Sequence, residues 1–276
     1  MKEQKSILIT GCSTGIGYCV AKGLQNRGYR VFASARKVED VDRLREEGLE
    51  SLHLDLTDSL SMKNAITRIL QQTGGELYGL FNNGAYGQPG ALEDISTENL
   101  RLQFETNVFG WHELTNLVLP VMRKQGHGRI IQNSSVLGLV SLKFRGPYNA
   151  SKYAIEGLSD TLRQELMETN IFVSLVEPGP IESHFRANSF RIYKKTIDKE
   201  SSPFREHYEA MEQRLTKKGP AVPFTLPPEA VLKKVIHALE SSKPKAHYYV
   251  TFPTYLFGYL KRILPTSTLD KLLNKI

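Results

Sequence analysis

Cysteine is nearly missing from this 276-residue chain, which has two, Cys12 and Cys19. Neither has a second cysteine or a histidine at metal-ligand spacing, so a disulfide scaffold and a zinc site are both disfavoured. A reducing, cytoplasmic setting fits that usage. The seven histidines form no pair at metal-binding spacing, and no metal is expected. Long apolar runs are missing too. No stretch reaches the roughly 18 uninterrupted apolar residues of a membrane-spanning helix, and the run inside MKEQKSILIT meets glycine too soon for a signal-peptide core. Acidic residues fall short in the last third: of the net +7, residues 1–185 carry −2, 186–218 carry +4, 219–240 carry none and 241–276 carry +5. No nucleic-acid reader motif accompanies that basicity. A nucleic-acid partner is therefore not expected, and peripheral contact with an acidic membrane surface suits the charge better.

What is present suffices for one large core, with 40% of residues hydrophobic and 24% charged. Six short apolar runs read as largely buried strands: SILIT (6–10), RVFASA (30–35), LESLHLD (49–55), LYGLFNN (77–83), GRIIQNSS (128–135) and IFVSLVEP (171–178). Segments with a helical apolar period separate most of them. Parallel neighbours need a crossover and a helix supplies it, so the expected fold is a single α/β domain, a doubly wound parallel sheet with helices on both faces. After residue 178 the period is lost, and residues 179–227 read as a charged, aromatic, irregular lid. A helix from Pro228 to Ser241 and a seventh strand, AHYYVTF (246–252), complete the domain at residue 252.

Residues 253–276 read as a basic amphipathic extension. YLFGYLKRIL places Leu256, Tyr259, Leu260 and Ile263 on one helical stripe; TSTLDKLLNKI does the same with Leu269, Leu272, Leu273 and Ile276, and Pro265 divides the two. Three settings suit those faces: docking on the core, lying in a lipid interface, or closing over a cleft.

ITGCSTGIGYCVAKGL (9–24) sets Gly11, Gly15 and Gly17 between a strand and a helix. Bare backbone there lets a phosphate approach, and the free N–H groups of the helix's first turn favour an anion. The spacing differs from the G-x-G-x-x-G dinucleotide fingerprint. Instead, T-G-x-x-x-G-x-G resembles the opening of the short-chain dehydrogenase/reductase family, and further motifs follow in family order. They are NNGA (82–85), TNVFG with Asn107, SS (134–135), YNASK with Tyr148 and Lys152, and PGPI (178–181). TGCSTGIG, ASARK and PGPI look most like the branch containing 17β-hydroxysteroid and retinol dehydrogenases and their bacterial relatives. Two departures stand out: the family's N-N-A-G is here Asn82-Asn83-Gly84-Ala85, and its P-G-x-[IV]-x-T ends in Ser183. The resemblance implies a Rossmann-type dinucleotide-binding catalytic domain that assembles as a homodimer or homotetramer. It also implies cofactor contacts from Gly11, Ser13, Thr14, Gly15, Ile16, Gly17, Asp55, Leu56, Asn83, Gly84, Pro178, Gly179, Ile181 and Ser183. Among these, Asp55 would bond the adenine amine, and Ser183 the nicotinamide carboxamide or a phosphate.

Carbonyl reduction leaves charge developing on oxygen, so the site needs a proton donor and a hydrogen bond to that oxygen. Tyr148 suits the first role, a free phenol titrating near ~10. Lys152, one helical turn on, brings a positive charge that favours the phenolate. The resemblance implies that Lys152 also binds the nicotinamide ribose and that Asn107 holds a relay water. It further implies that Ser135, thirteen residues before the tyrosine, binds the substrate oxygen in preference to Ser134. From Tyr29 through Val38 no acid is present to accept from a ribose 2′-hydroxyl, whereas Arg36 and Lys37 follow the second strand. A guanidinium there pairs with a 2′-phosphate, so NADP(H) is expected in preference to NAD(H). Leu137, Leu139, Val140 and Leu142, with Phe185, Phe190, Ile192 and Tyr193 from the lid, suit a lipophilic aldehyde, ketone or alcohol. Trp111 reads as packing. The expected function is an NADP(H)-dependent oxidoreductase interconverting such a carbonyl compound and its alcohol; the alternative is a dinucleotide-sensing or scaffolding protein on the same fold.

Overall fold

Each apolar run becomes a parallel strand in the computed structural model, which describes residues 4–276. The strands are β1 (Ser6–Ile9), β2 (Arg30–Ala35), β3 (Glu50–His53), β4 (Gly79–Asn82), β5 (Gly128–Asn133), β6 (Ile171–Glu177) and β7 (His247–Tyr249). Helices α1 (Gly15–Asn26), α2 (Val38–Glu46), α3 (Ser59–Gln72), α4 (Thr97–Phe104), α5 (Gly110–Gln125), α6 (Gly146–Glu165), α7 (Phe185–Thr196), α8 (Arg205–Thr216), α9 (Glu229–Glu240), α10 (Phe252–Ile263) and α11 (Thr266–Leu273) follow the chain order. The sheet runs β3-β2-β1-β4-β5-β6-β7 and every pairing is parallel. The order reverses between β1 and β4. A crevice opens at such a switch point, at the carboxyl ends of the strands.

Both faces of the sheet are covered, which is why β1 is buried throughout and its sequence shows no alternation. On one face Val20 and Leu24 of α1 and Val231, Val235 and Leu239 of α9 pack on Ile7, Ile9 and Val31. On the other, Ile66 and Ile69 of α3, Trp111, Leu114 and Val118 of α5 and Ile155 of α6 pack on Leu8, Leu80 and Ile130. Between α4 and α5 the helix widens into one π-helical turn, Glu105–Phe109, which holds Asn107. Just beyond it, α5 presses against the loop after β3 so closely that a Cβ on Gly110 would lie 2.1 Å from the carbonyl oxygen of Leu56. Gly110→Ala is therefore expected to cost about 1–3 kcal/mol, because backbone must move to admit the methyl. A lowered urea midpoint at unchanged slope is the reading that checks this.

The chain departs from its sequence reading after β6. Residues 179–227 are not irregular throughout: they carry α7 and α8, which share a small core of Tyr193, Tyr208, Met211 and Leu215 with Ala91. Each helix buries only two or three side chains, so the apolar stripe was too thin to show as a period among the charges. β7 ends at Tyr249 rather than at residue 252, because Pro253 sits in the first turn of α10 and suits a helix start. In the C-terminal segment Phe257, Leu260, Leu264, Leu269 and Leu273 pack with Val140. Tyr259, Ile263 and Ile276, from the same expected stripes, are exposed, while Leu256 and Leu272 are at the margin. Among the described residues no helix is long and apolar enough to cross a membrane.

Candidate active site

A cleft of about 1290 Å³ lies over the carboxyl ends of the central strands, bounded by the β1–α1 turn, the loops after β4, β5 and β6, the lid and the C-terminal helices. The β1–α1 turn forms because Gly11 takes φ +70°, and a Cβ there would stand 2.6 Å from Cα of Gly84. At Gly17 a Cβ would stand 2.3 Å from the Gly11 carbonyl oxygen, so α1 can begin this close only without side chains. Thr14, the residue before α1, makes no side-chain cap. The first-turn N–H groups of α1 are thus left to an anion, with Ser13, Thr14, Gly15 and Ile16 lining the cleft around them. This cradle fits the diphosphate of a dinucleotide.

Asn83 fastens the cradle to the sheet: its Nδ2 donates to the carbonyls of Thr10 and Gly11, and Asn133 Nδ2 donates back to its Oδ1 at 2.9 Å. Gly84 donates its N–H to Thr10 Oγ1 at 2.9 Å and has an ordinary negative-φ backbone, so the inverted Gly84-Ala85 order imposes no left-handed turn. Pro178, Gly179, Ile181 and Ser183 line the opposite wall. Arg36, Asp55, Leu56 and Asn107 lie off the cleft wall, and Gly17 lies behind it. Arg36 is exposed beyond β2 and makes no hydrogen bond or ion pair among the described residues. Asp55 Oδ1 accepts from the N–H and hydroxyl of Thr57. Leu56 is buried and packs beneath Gly84.

The reacting end brings Ser135, Tyr148 and Lys152 together on the cleft wall. Tyr148 and Lys152 lie one turn apart on α6, and Ser135 follows β5. Ser135 and Ser134 take different roles: Ser134 Oγ donates to Glu156, whereas Ser135 Oγ accepts from the Leu137 N–H at 3.1 Å and stays on the cleft wall with Tyr148. Burial pushes the Tyr148 phenol up to about 12, against the opposing effects of the Ser135 hydroxyl and the Arg145 charge. Its neutral, proton-donating form is therefore the resting one. Lys152 is buried and donates from Nζ to the carbonyl of Asn133 at 2.7 Å. Desolvation pulls its ammonium down to about 7, with Glu156 opposing the shift. Lys152 Nζ lies 5.5 Å from the Tyr148 ring centroid, and the charge of Arg145, a residue the sequence reading passed over, also favours the phenolate. Asn107, fully buried in the π turn, donates to Tyr86 O at 2.9 Å and Ser151 Oγ at 3.2 Å, and accepts from the Tyr86 N–H.

Trp111 does more than pack. Its indole N–H donates to Gly84 O at 2.8 Å, and Lys152 Nζ lies 4.3 Å from its ring centroid, so one side chain braces both halves of the site. A lone tryptophan near Asn107 carries no sequence signal for that. Of the expected apolar wall, Leu137, Val140, Leu142 and Phe185 do line the cleft. Leu139, Phe190, Ile192 and Tyr193 do not, and Tyr193 lies in the lid's own core. Phe185 stands edge-on to Tyr148, with ring centroids 5.3 Å apart.

Behind α6 the fold assembles a group that sequence spacing hides. Potential ligand atoms of Glu156, Glu177 and His247 lie within 4.8 Å of one another. His247 Nδ1 is 2.6 Å from Glu177 Oε1 and 3.8 Å from Glu156 Oε2. Burial raises both carboxyl groups, Glu156 to about 7, while the hydrogen bond to Glu177 raises His247. The cluster is thus closed on itself, His247 facing the two buried carboxyl groups.

Comparison with known proteins agrees with this architecture. Residues 5–193 match the family model described as short chain dehydrogenase. The chain is 43% identical over 270 residues to the uncharacterized oxidoreductase YbbO of Escherichia coli K12, covering 98% of this chain and 94% of that one. It is 31% identical over 276 residues to an NADPH-dependent 3-dehydrocapnine reductase of Ornithobacterium rhinotracheale, covering 97% and 95% respectively. Among solved structures, a short-chain dehydrogenase from Streptomyces avermitilis superposes with a TM-score of 0.79 at 27% identity, covering 99% of this chain and 94% of that one.

Proposed function

This chain belongs to the short-chain dehydrogenase family, and on that premise we propose that it interconverts a lipophilic aldehyde or ketone and its alcohol with NADP(H), Tyr148 being the general acid and base. The observation that carries the reading is the convergence of Ser135, Tyr148 and Lys152 on one cleft with the glycine cradle. When bound, the nicotinamide cofactor supplies or accepts the hydride. The chain's own residues do the rest. Ser135 donates a hydrogen bond to the carbonyl oxygen, and Tyr148 gives that oxygen its proton as charge develops there. Lys152 holds the ribose and restores the phenol's proton, with Asn107 on the path to solvent. Leu137, Val140, Leu142 and Phe185 exclude water from the reacting carbon and favour an apolar substrate. A dinucleotide sensor or scaffold would have no need of the acid, the oxygen-binding hydroxyl and the buried ammonium together. Monitoring NADPH oxidation against aldehydes, ketosteroids and retinal, with NADH as control, tests the reading, and no turnover of any of them overturns it.

Preference for NADP(H) rests on Arg36, an exposed guanidinium after β2 with no partner among the described residues. The NADPH-dependent relative supports it. Arg36→Leu is expected to raise the KM for NADPH by roughly tenfold and leave that for NADH within about twofold. Equal loss with both cofactors would make Arg36 structural.

Four further assignments complete the reading. Residues 1–252 form the catalytic domain with a substrate lid at 179–227, and 253–276 are an extension that reaches the cleft through Pro253, Leu256 and Leu273. Exposed Leu102, Phe109 and Leu158 on the helical layer support a homodimer or homotetramer. Free Cys12 and Cys19 suit a reducing, cytoplasmic compartment. Exposed Phe252, Tyr255, Tyr259 and Ile263, flanked by Lys261 and Arg262, support peripheral contact with an anionic bilayer. Sedimentation with anionic vesicles at low but not high salt is the expected result, and indifference to them at low salt would remove the membrane contact.

A further inference from the structure

Besides His184, four cationic side chains line the cleft, Lys152, Arg145, Arg186 and Arg214, against a single acid, Glu182. Two of them have evident work. Lys152 holds the Asn133 carbonyl, and Arg186 caps the end of α8 by donating to the carbonyls of Arg214, Lys217 and Gly219. Arg145 and Arg214 hold no group of the protein. Neither guanidinium makes a hydrogen bond or ion pair with any described residue, although both are half-buried. Arg145 immediately precedes α6, one turn before Tyr148, and Arg214 comes from the last turn of α8 in the lid. Desolvation and the like charge of Arg214 bring Arg145 down to about 9, and desolvation with the Arg186 charge lowers Arg214. A fold gains nothing by withdrawing two unpaired guanidinium groups from water into one cleft. Such an arrangement is repaid when an oxyanion arrives, because the planar fork of arginine matches its oxygens two at a time.

Taking the oxidoreductase reading as its basis, we infer that the substrate is amphipathic: a lipophilic carbonyl compound or alcohol bearing an oxyanionic group, such as a carboxylate or phosphonate, that Arg145 and Arg214 clamp beside the catalytic tyrosine. The apolar part lies along Leu137, Val140, Leu142 and Phe185, and the acidic group selects for binding under the lid. Because one arginine caps the start of α6 and the other comes from α8, the anion also draws the lid towards the catalytic helix.

The test compares 4-oxododecanoate with its methyl ester, two ketones that differ in the charge next to the reacting carbonyl. The wild-type protein is expected to favour the acid by roughly ten- to hundredfold in kcat/KM. Arg214→Leu is expected to bring that ratio near one, and Arg214→Lys to restore part of it. Calorimetry reads the same clamp without turnover: dodecanoate and dodecylphosphonate should bind the NADPH complex, dodecanol at least tenfold more weakly, and Arg145→Gln should erase the difference. The relative affinity of the two anions identifies the oxyanion preferred. An ester turned over as well as the acid, dodecanol binding as tightly as dodecanoate, or arginine variants that lose NADPH affinity while keeping the anion preference would each overturn the inference. Failure of both ketones to oxidise NADPH would instead strike the oxidoreductase reading, and the calorimetric comparison would still decide the clamp.

Discussion

Tyr148→Phe is expected to lower kcat by about 10²- to 10⁴-fold, the range of a lost general acid, with NADPH affinity close to wild type. The substitution removes one oxygen and little else. The ring's edge contact with Phe185 survives, Lys152 keeps its bond to the Asn133 carbonyl, and the glycine cradle is untouched. The protein holds the phenol neutral by burial, up to about 12, so at neutral pH essentially every molecule carries the proton that reduction needs. Steady-state rates together with NADPH fluorescence titration separate the two effects. Turnover within a few-fold of wild type would dismiss Tyr148 as the acid.

Lys152→Met is expected to lower kcat/KM by about 10²- to 10³-fold and to weaken NADPH as well, because one ammonium serves the proton path and the ribose. Normal cofactor affinity in the variant would contradict the double role. It has a stability signature with a definite sign. In the fold the ammonium titrates near 7 instead of its ordinary 10.5, so between those values the unfolded chain binds more protons than the folded one. Stability from this group therefore rises with pH across that window, and below it the folded protein must carry a buried charge. The variant lacks the ammonium. Relative to it, the wild type should gain stability steadily from pH 7 towards 10.5, which urea unfolding at a series of pH values reads directly. A difference independent of pH would mean that the lysine is solvated in the fold.

The sheet was legible because its strands are buried on both faces and their apolar runs are continuous; Arg30–Ala35 coincides with the expected strand. The cradle was legible because glycine is the one residue that Gly11 and Gly17 tolerate, so the geometry leaves its mark in residue type. Ser135, Tyr148 and Lys152 lie on adjoining elements, and the fold needs little rearrangement to join them. The lid was misread because helices that bury so few side chains leave no strong period. Arg145, Arg214 and the Glu156–Glu177–His247 group were invisible for another reason: what distinguishes them is the partner each has or lacks across the fold. Residue type at a position carries none of that information.

The lid's private core has a consequence for how such a protein changes over generations. Tyr193, Tyr208, Met211 and Leu215 pack on one another and Ala91, and the module is tied to the body by the Phe144 ring against Phe204 and Tyr208 and by polar links, Tyr208 and Ser202 to Asp94 and Thr196 to Gln88. A region assembled in this way opens and closes as its own cooperative unit. Selection can therefore rewrite what the lid admits, residue by residue, without disturbing the seven strands that hold the hydride-transfer apparatus, and the machinery and its diet are free to evolve at different speeds.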